Sequence, residues 1–473
     1  MLRIIPGAIV FLSLALLFSC EKENISYDSA LKLEFSADTI LFDTVFTTIG
    51  SATRNVRVYN RNNSDIVISA VKLAGGSSSP FRINIDGEPS TIARNIKIRS
   101  NDSLYVFVEV TIDPTMQNAP LYIPDSIVFE TNGNVQDVNL IAWGQDVHLL
   151  SSYTLEGSNT FSSEKPYLIH NYLYVAPNSE LTVNPGAKLH FHNQAILWVD
   201  GTLKVSGSLE QPVVFEGDRL EDFYSDKAGQ WSGIYMSPVS RNNIIDWAII
   251  KNAINGVAID TFAVPDVPAL VINNTRIENM SSTALLASGS IVKAGNCLFA
   301  NAGIMVVVLR FGGYYEFNHC TIVNYWSQYM HRKGPALIIN NFYESSEGEL
   351  INRDIEKAYF GNCIIYGSRP EELEIDNVYK GQEVSAKMEY LLENSILRIE
   401  DAADTNDLSH FINTRSANPN FIEPFNYNFQ LDTLSPAKDF GLINIATEFP
   451  IDLYGNSRLS DNGPDLGCFE RLE

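Results

Sequence analysis

Five four-residue segments decide the fold: Asn274-Thr275-Arg276-Ile277, Asn296-Cys297-Leu298-Phe299, His319-Cys320-Thr321-Ile322, Asn362-Cys363-Ile364-Ile365 and Asn394-Ser395-Ile396-Leu397. Trp247-Ala248-Ile249-Ile250 precedes them in the same frame. The second position runs Ala248, Thr275, Cys297, Cys320, Cys363, Ser395 and is always small. The fourth runs Ile250, Ile277, Phe299, Ile322, Ile365, Leu397 and is always apolar. Residues two apart on a strand share a face, so both columns are expected to point inward. Successive segments are 27, 22, 23, 43 and 32 residues apart. A period near 22 with loops inserted predicts a parallel β-helix, whose coils stack so that like residues form ladders. The 43-residue step holds one coil plus an insertion that includes Glu344 to Glu356, and the 32-residue step carries a second acidic insertion around Glu371 to Asp376. A leucine-rich solenoid would need Leu-x-x-Leu-x-Leu spacing, which is missing. An ordinary sandwich would not arrange residue types in columns at this period.

Flanking segments extend the pattern in both directions. Leu181-Thr182-Val183-Asn184-Pro185-Gly186-Ala187-Lys188-Leu189-His190-Phe191, Val199-Asp200-Gly201-Thr202-Leu203-Lys204-Val205-Ser206-Gly207 and Gln230-Trp231-Ser232-Gly233-Ile234 look like first coils. These motifs resemble bacterial right-handed parallel β-helix proteins. The tail contains Ser435-Pro436-Ala437-Lys438-Asp439, Asp452-Leu453-Tyr454-Gly455-Asn456 and Pro464-Asp465-Leu466-Gly467-Cys468-Phe469-Glu470. It resembles the C-terminal motif called choice-of-anchor Q, from whose commonest form Lys438 and Cys468 depart. The resemblance covers most of residues 151–473 and implies a fold more than a function, because β-helices host lyases, hydrolases, adhesins and inert stalks.

Residues 32–146 alternate with period two. The longest run is Leu104, Val106, Val108, Val110, Ile112; turn residues such as Asn60 to Ser64, Gly75-Gly76 and Asn132-Gly133-Asn134 separate shorter ones. Many short strands with this punctuation predict an antiparallel β-sandwich. A Cys…Trp…Cys core is missing, which excludes an antibody-type domain. Arg54-Asn55-Val56-Arg57-Val58-Tyr59-Asn60, Ser103 to Val110, Asp113-Pro114 and Leu140-Ile141-Ala142-Trp143-Gly144 resemble the Ig-like domains of the abnormal-spindle and hydin type. That resemblance implies a spacer or interaction module. The fold expected for the chain is therefore all-β, an Ig-like sandwich followed by a right-handed parallel β-helix.

The N-terminus reads as an address. Arg3 precedes the mostly apolar run Ile4 to Phe18, which is too short to span a bilayer and ends in Leu17-Phe18-Ser19-Cys20. This ending resembles the lipobox of bacterial lipoproteins, which implies a signal peptide over residues 1–19, diacylglyceryl attachment at Cys20 and an acidic tether over 20–31. Two or three acyl chains anchor stably. The segment from Glu21 to Ser29 resembles the acidic stretch of surface-exported lipoproteins, implying the outer membrane of a Gram-negative envelope and possible surface exposure. Loss of Arg3 on cleavage takes the formal charge from −23 to −24. An acidic chain of pI near 4.7 excludes general nucleic-acid binding, because phosphate is repelled. Gly303 to Leu309 is intensely apolar but stops at Arg310 and reads as a buried strand.

Chemistry is less legible. Cys297, Cys320 and Cys363 share a register but lack Cys-x-x-Cys pairing, and a straight ladder is not a tetrahedron, so they read as small buried hydrophobes. The Asn column reads as a hydrogen-bond ladder at a bend. His190 and His192 are expected to share an outward face, with no third ligand in view, so no metal and no cofactor are assigned. Arg310 and Lys333 each lie thirteen residues after Cys297 and Cys320. Equal turns would stack the two cations on one flank, with Glu316 the nearest candidate to offset them. His331 and Arg332 adjoin them, and Tyr314, Tyr315, Tyr325, Trp326 and Tyr329 add aromatic area, a composition suited to acidic polysaccharide. No Gly-x-Ser-x-Gly, His-Glu-x-x-His, Walker or EF-hand motif occurs. Three readings stay open: a lipid-anchored glycan-facing binding module, a polysaccharide lyase or glycoside hydrolase on the same flank, and a structural or adhesive surface protein.

Overall fold

The computed structural model describes residues 24–472 apart from 48, 86, 115–119, 261–263, 265–266, 328–331 and 401–404. The expected lipid-attachment residue Cys20 lies outside the described residues, as do Tyr329 and His331. The chain divides into two compact units, Met1–Asp146 and Val147–Glu473.

The first unit packs two five-stranded sheets face to face. One runs Glu34–Phe35, Arg54–Asn60, Asp102–Val110, Phe81–Ile85, Glu88–Ser90; the other runs Thr39–Phe46, Asn134–Gln145, Leu121–Thr131, Ile66–Leu73, Ile92–Ile98. Pairing is antiparallel except between Asn134–Gln145 and Thr39–Phe46. Val56, Val58, Val106, Val108, Val110, Ile127, Phe129, Val138 and Leu140 are fully buried between the sheets, as the alternation requires. The described end of the expected 20–31 tether pairs with the sandwich domain. Ser26 N–H donates to the Asp65 carbonyl and Asp65 N–H to that of Asn24, both at 2.9 Å, so residues 24–26 run along the domain rather than away from it.

The second unit is a parallel β-solenoid with three faces per coil. The first face carries Lys188–Phe191, Val213–Gly217, Ala248–Lys251, Arg276–Met280, Leu298–Ala302, Thr321–Asn324, Ile364–Gly367 and Ile396–Leu397. The second carries Ile196–Val199, Gly233–Met236, Asn255–Ile259, Thr283–Ser288, Met305–Arg310, Leu337–Asn340 and Leu373–Asp376. The third is a ten-stranded sheet from Ser158–Phe161 to Phe411–Ile412. Near the start, Tyr167–Val175 crosses the first two faces without a break, pairing with Lys188–Phe191 and then with Ile196–Val199.

The register read from sequence holds along the first face. Ile250 pairs with Ile277, then Phe299, Ile322, Ile365 and Leu397, and every one is fully buried. The small-residue column has a shared hydrogen bond. Thr275 Oγ1, Cys297 Sγ, Cys320 Sγ, Cys363 Sγ and Ser395 Oγ each donate to the carbonyl two residues earlier. Each of those carbonyls already accepts a backbone N–H from the preceding coil, so the small hydroxyl or thiol adds a second bond to the same oxygen. The residue before it takes a left-handed backbone in each coil: Trp247, Asn274, Asn296, His319, Asn362 and Asn394 have φ between 42° and 53°. Asn tolerates that region better than other side chains, which gives the Asn column its physical reason.

Insertions fall between coils. The hairpin of Phe342–Glu344 and Leu350–Asn352 occupies the predicted 344–356 insertion. The second insertion is displaced from its expected place. Leu373–Asp376 is a regular second-face strand, and the extra residues form the hairpin of Val378–Tyr379 and Gln382–Glu383. The tail folds back over the outside of the first face. Phe421, Phe429, Leu431, Leu453, Leu466, Cys468 and Phe469 bury the outward Leu298, Val323, Ile364 and Ile396. Arg458 and Glu470, both fully or almost fully buried, pair at 3.0 Å, and Arg458 Nη2 donates to Asn296 Oδ1 at 2.7 Å. Asp452 accepts from the backbone N–H groups of Tyr454, Asn456 and Glu470. Gly467 has φ +82°, and a Cβ there would collide with Thr321 Oγ1. The tail is thus a docked cap whose acidic residues satisfy backbone donors.

Candidate functional site

The second face stays aromatic on its outside in the early coils. Tyr174, Trp198 and Tyr235 occupy one outward column on adjacent strands, about 4.8 Å apart in backbone spacing. The Trp198 and Tyr235 rings meet edge to face with centroids 4.8 Å apart, and Trp198 is 42% exposed. Two residues further along each strand, a polar column begins: Asp200, Ser237, Asp260, Ser288, Arg310, Asn340, Asp376.

The first acid of that column orients the rings. Asp200 accepts from Tyr174 Oη at 2.6 Å and from Trp198 Nε1 at 2.8 Å. Burial pushes the Asp200 carboxyl up, and hydrogen bonds from Ser237, Tyr174 and Trp198 outweigh it, holding it below the usual carboxylate range. Burial and the Asp260 carboxylate together raise the Tyr235 phenol above its ordinary value. A side chain that spends its oxygens on ring donors fixes a binding platform and is poorly suited to protonate a leaving group.

Further along, Pro238, Asp260, Ser288, Arg310, Phe311 and Tyr343 line a cleft of about 340 Å³. Arg310 is exposed, with Nε donating to Ser288 Oγ at 3.0 Å. Among the described residues no carboxylate lies within ion-pair distance of it. Phe311 and Tyr343 meet edge to face at 4.7 Å on the cleft wall, and the Arg353 guanidinium lies over Phe311.

The residues expected to form one stripe do not stay together. Arg310 pairs in register with Ser288 and Asn340, not with Lys333. Lys333 is exposed in the connection before Leu337–Asn340, where Arg369 Nη1 donates to its carbonyl. Glu316 belongs to the third face, between Lys293 and Tyr359, with Lys357 Nζ at 3.8 Å. Tyr315 is fully buried and donates to the Gly312 carbonyl at 2.8 Å. Tyr325 is buried beneath Phe421 and Phe425 of the tail. The Arg332 guanidinium is 5% exposed and donates to the fully buried Glu372 at 2.6 Å. Tyr314 is half-buried beside Lys357 and Trp326 is half-buried, both away from the Arg310 cleft's lining. Of the described residues in that aromatic and cationic set, Arg310 alone lines the cleft.

The histidines also depart from expectation. His190 is buried while the His192 side chain is half exposed, so they do not share one environment. Burial pulls the His190 imidazole below its usual value.

No protein-family profile matches the sequence, and no curated protein matches it either. Two solved structures align over short stretches. A family 123 glycoside hydrolase from Clostridium perfringens, described for glycolipid glycan hydrolysis, aligns at 8% identity over 25% of this chain and 30% of its own, with a TM-score of 0.19. A protein of unknown function from Porphyromonas gingivalis W83 aligns at 13% identity over 26% of this chain and 60% of its own, with a TM-score of 0.17. The chain spans less than two thirds of either structure, and superpositions this loose carry nothing about fold or activity.

Proposed function

We propose that the chain is a cell-envelope protein, lipid-anchored through Cys20, whose solenoid engages glycan along its second face. The observation that carries the reading is the Asp200-braced ladder of Tyr174, Trp198 and Tyr235 on the same face as the Arg310 cleft. Ring faces suit the apolar faces of sugars, and an unpaired guanidinium suits a carboxylate or sulfate substituent. The −24 field of the cleaved chain opposes polyanions, so contact with an acidic glycan depends on Arg310 locally and weakens as salt rises.

The test is a panel of neutral and acidic polysaccharides against the full chain, with binding and product formation read together. Binding that is lost in Trp198→Ala, without new reducing ends or ultraviolet-absorbing unsaturated products, supports a binding module. Reducing ends would make it a hydrolase and unsaturated ends a lyase. Absence of both binding and turnover across the panel would leave the adhesive reading in its place.

A further inference from the structure

The first-face turn of the early coils brings together three side chains that no sequence motif connects. His170 lies in Tyr167–Val175, His192 follows Lys188–Phe191 and Asp218 follows Val213–Gly217. Ile169 pairs with Phe191 and Phe191 with Gly217, so the three groups stand one residue beyond a common column on successive coils. Backbone bonds hold that alignment: His192 N–H donates to the Ile169 carbonyl at 2.8 Å and Asp218 N–H to that of Phe191 at 3.1 Å. The His170 and His192 rings stack with centroids 4.4 Å apart and 19° between planes. His192 Nδ1 lies 2.7 Å from Asp218 Oδ2. One ligand atom from each residue falls within 4.8 Å of the others.

A plain histidine–carboxylate pair accounts for His192 and Asp218. It does not account for His170, whose buried Nε2 has no hydrogen-bond partner. Buried polar atoms are nearly always satisfied, so an unsatisfied imidazole nitrogen beside two further donors calls for a ligand. We propose that His170, His192 and Asp218 bind a divalent transition-metal ion of the zinc class, leaving a coordination position open to solvent. Two imidazoles and one carboxylate match the donor preference of zinc, whereas calcium and magnesium take oxygen sets. Metal–ligand bonds of about 2.0–2.2 Å place ligand atoms roughly 3.3 Å apart. Binding requires side-chain shifts of up to about 1.5 Å from the present spread of at most 4.8 Å, and the His192 side chain is half exposed. Glu216, on the neighbouring column, is already engaged by Lys251 Nζ at 2.8 Å and is not a member of the set. The reading is independent of the glycan surface, which uses the second face.

The test is calorimetric titration of the tag-free full chain with Zn²⁺. One equivalent should bind, and His170→Ala, His192→Ala and Asp218→Asn should each weaken it at least about ten-fold, the smallest effect expected when a ligand's support is lost. His410→Ala, on a histidine that stacks against Tyr390, should leave it unchanged. Because the His192 side chain is half exposed, His192→Ala keeps the test interpretable even if His170→Ala misfolds. With Co²⁺ the site should give ligand-field bands without a thiolate charge-transfer band. No binding, binding unchanged in His192→Ala, or a thiolate band pointing to the cysteine column would each overturn the proposal.

Discussion

Asn362 is where backbone strain, the coil turn and the cap meet, and replacing it separates their contributions. Its φ is 53° and it is fully buried. Its Oδ1 accepts from Leu442 N–H at 2.7 Å, and its Nδ2 donates to the Leu442 carbonyl at 3.0 Å and faces His319 Nε2 at 2.9 Å. Asn362→Ala puts a Cβ residue in the left-handed region without the compensating side chain, at about 1 kcal/mol. It also strips partners from the Leu442 amide and His319, at about 1–3 kcal/mol for each group left buried and unpaired. Asn362→Gly relieves the strain and leaves the same groups unpaired. The expected losses are about 3–7 kcal/mol for Ala and about 1 kcal/mol less for Gly. Urea unfolding of the full chain, followed by tryptophan fluorescence and by far-ultraviolet circular dichroism, reads both. The cap should also become protease-sensitive before the coils do, because the lost bonds are its attachment. An Ala variant as stable as Gly would refute the left-handed account of the Asn column. A loss under about 1 kcal/mol for both would refute the attachment.

Stability should also fall between pH 6.5 and 8.5. Burial and the Asp465 carboxylate push Glu470 up to about 8 against the pull of Arg458, and burial takes Asp465 to about 6. The folded state then holds protons that the unfolded chain has released, so stability present at low pH is lost as pH rises through the folded values. The window starts at 6.5 because the buried His319, held well below its usual value, acts in the opposite direction beneath it. A urea midpoint that rises across this range would count against the raised Glu470 carboxyl. Cys20→Ala should move the protein from the membrane to the soluble fraction on cell fractionation, and retention would exclude the anchor. Trp198→Ala should weaken glycan binding by at least about 1 kcal/mol, roughly five-fold. Arg310→Ala should flatten the salt dependence for an acidic glycan and leave a neutral one alone; an unchanged salt slope would remove Arg310 from the site.

The inward columns were legible because burial punishes any departure at each coil. From Ile250 to Leu397 the pairing follows the sequence alignment without a slip. The turns were not legible, because nothing buried fixes their length. Val307 lies ten residues beyond Cys297, but its partner Leu337 lies seventeen beyond Cys320. Those seven extra residues separate Lys333 from Arg310. The burial of Arg332 against Glu372 was hidden for the same reason, since Glu372 is 40 residues away in sequence. His170 had an available signal: it precedes His192 by 22 residues, the coil period. The strand Tyr167–Val175 crosses two faces without a break and carries none of the repeated segments, so the period is not visible there.

The solenoid separates its functions by direction. Inward positions repeat a few residue types because each coil must present the same cross-section to the next. Outward positions are free of that constraint, and there the chain departs from repetition: rings at Tyr174, Trp198 and Tyr235, a guanidinium at Arg310, histidines at 170 and 192. The tail covers the outward first face where it is apolar, at Leu298, Val323, Ile364 and Ile396. Among the described residues no such apolar cover lies over the second-face rings, and Trp198 remains 42% exposed while braced by Asp200. Bracing an exposed indole costs conformational entropy that burial does not offset. A chain that needed only to stack coils would gain nothing from fixing that ring, which makes the outward column, rather than the conspicuous cysteine ladder, the place to look for function.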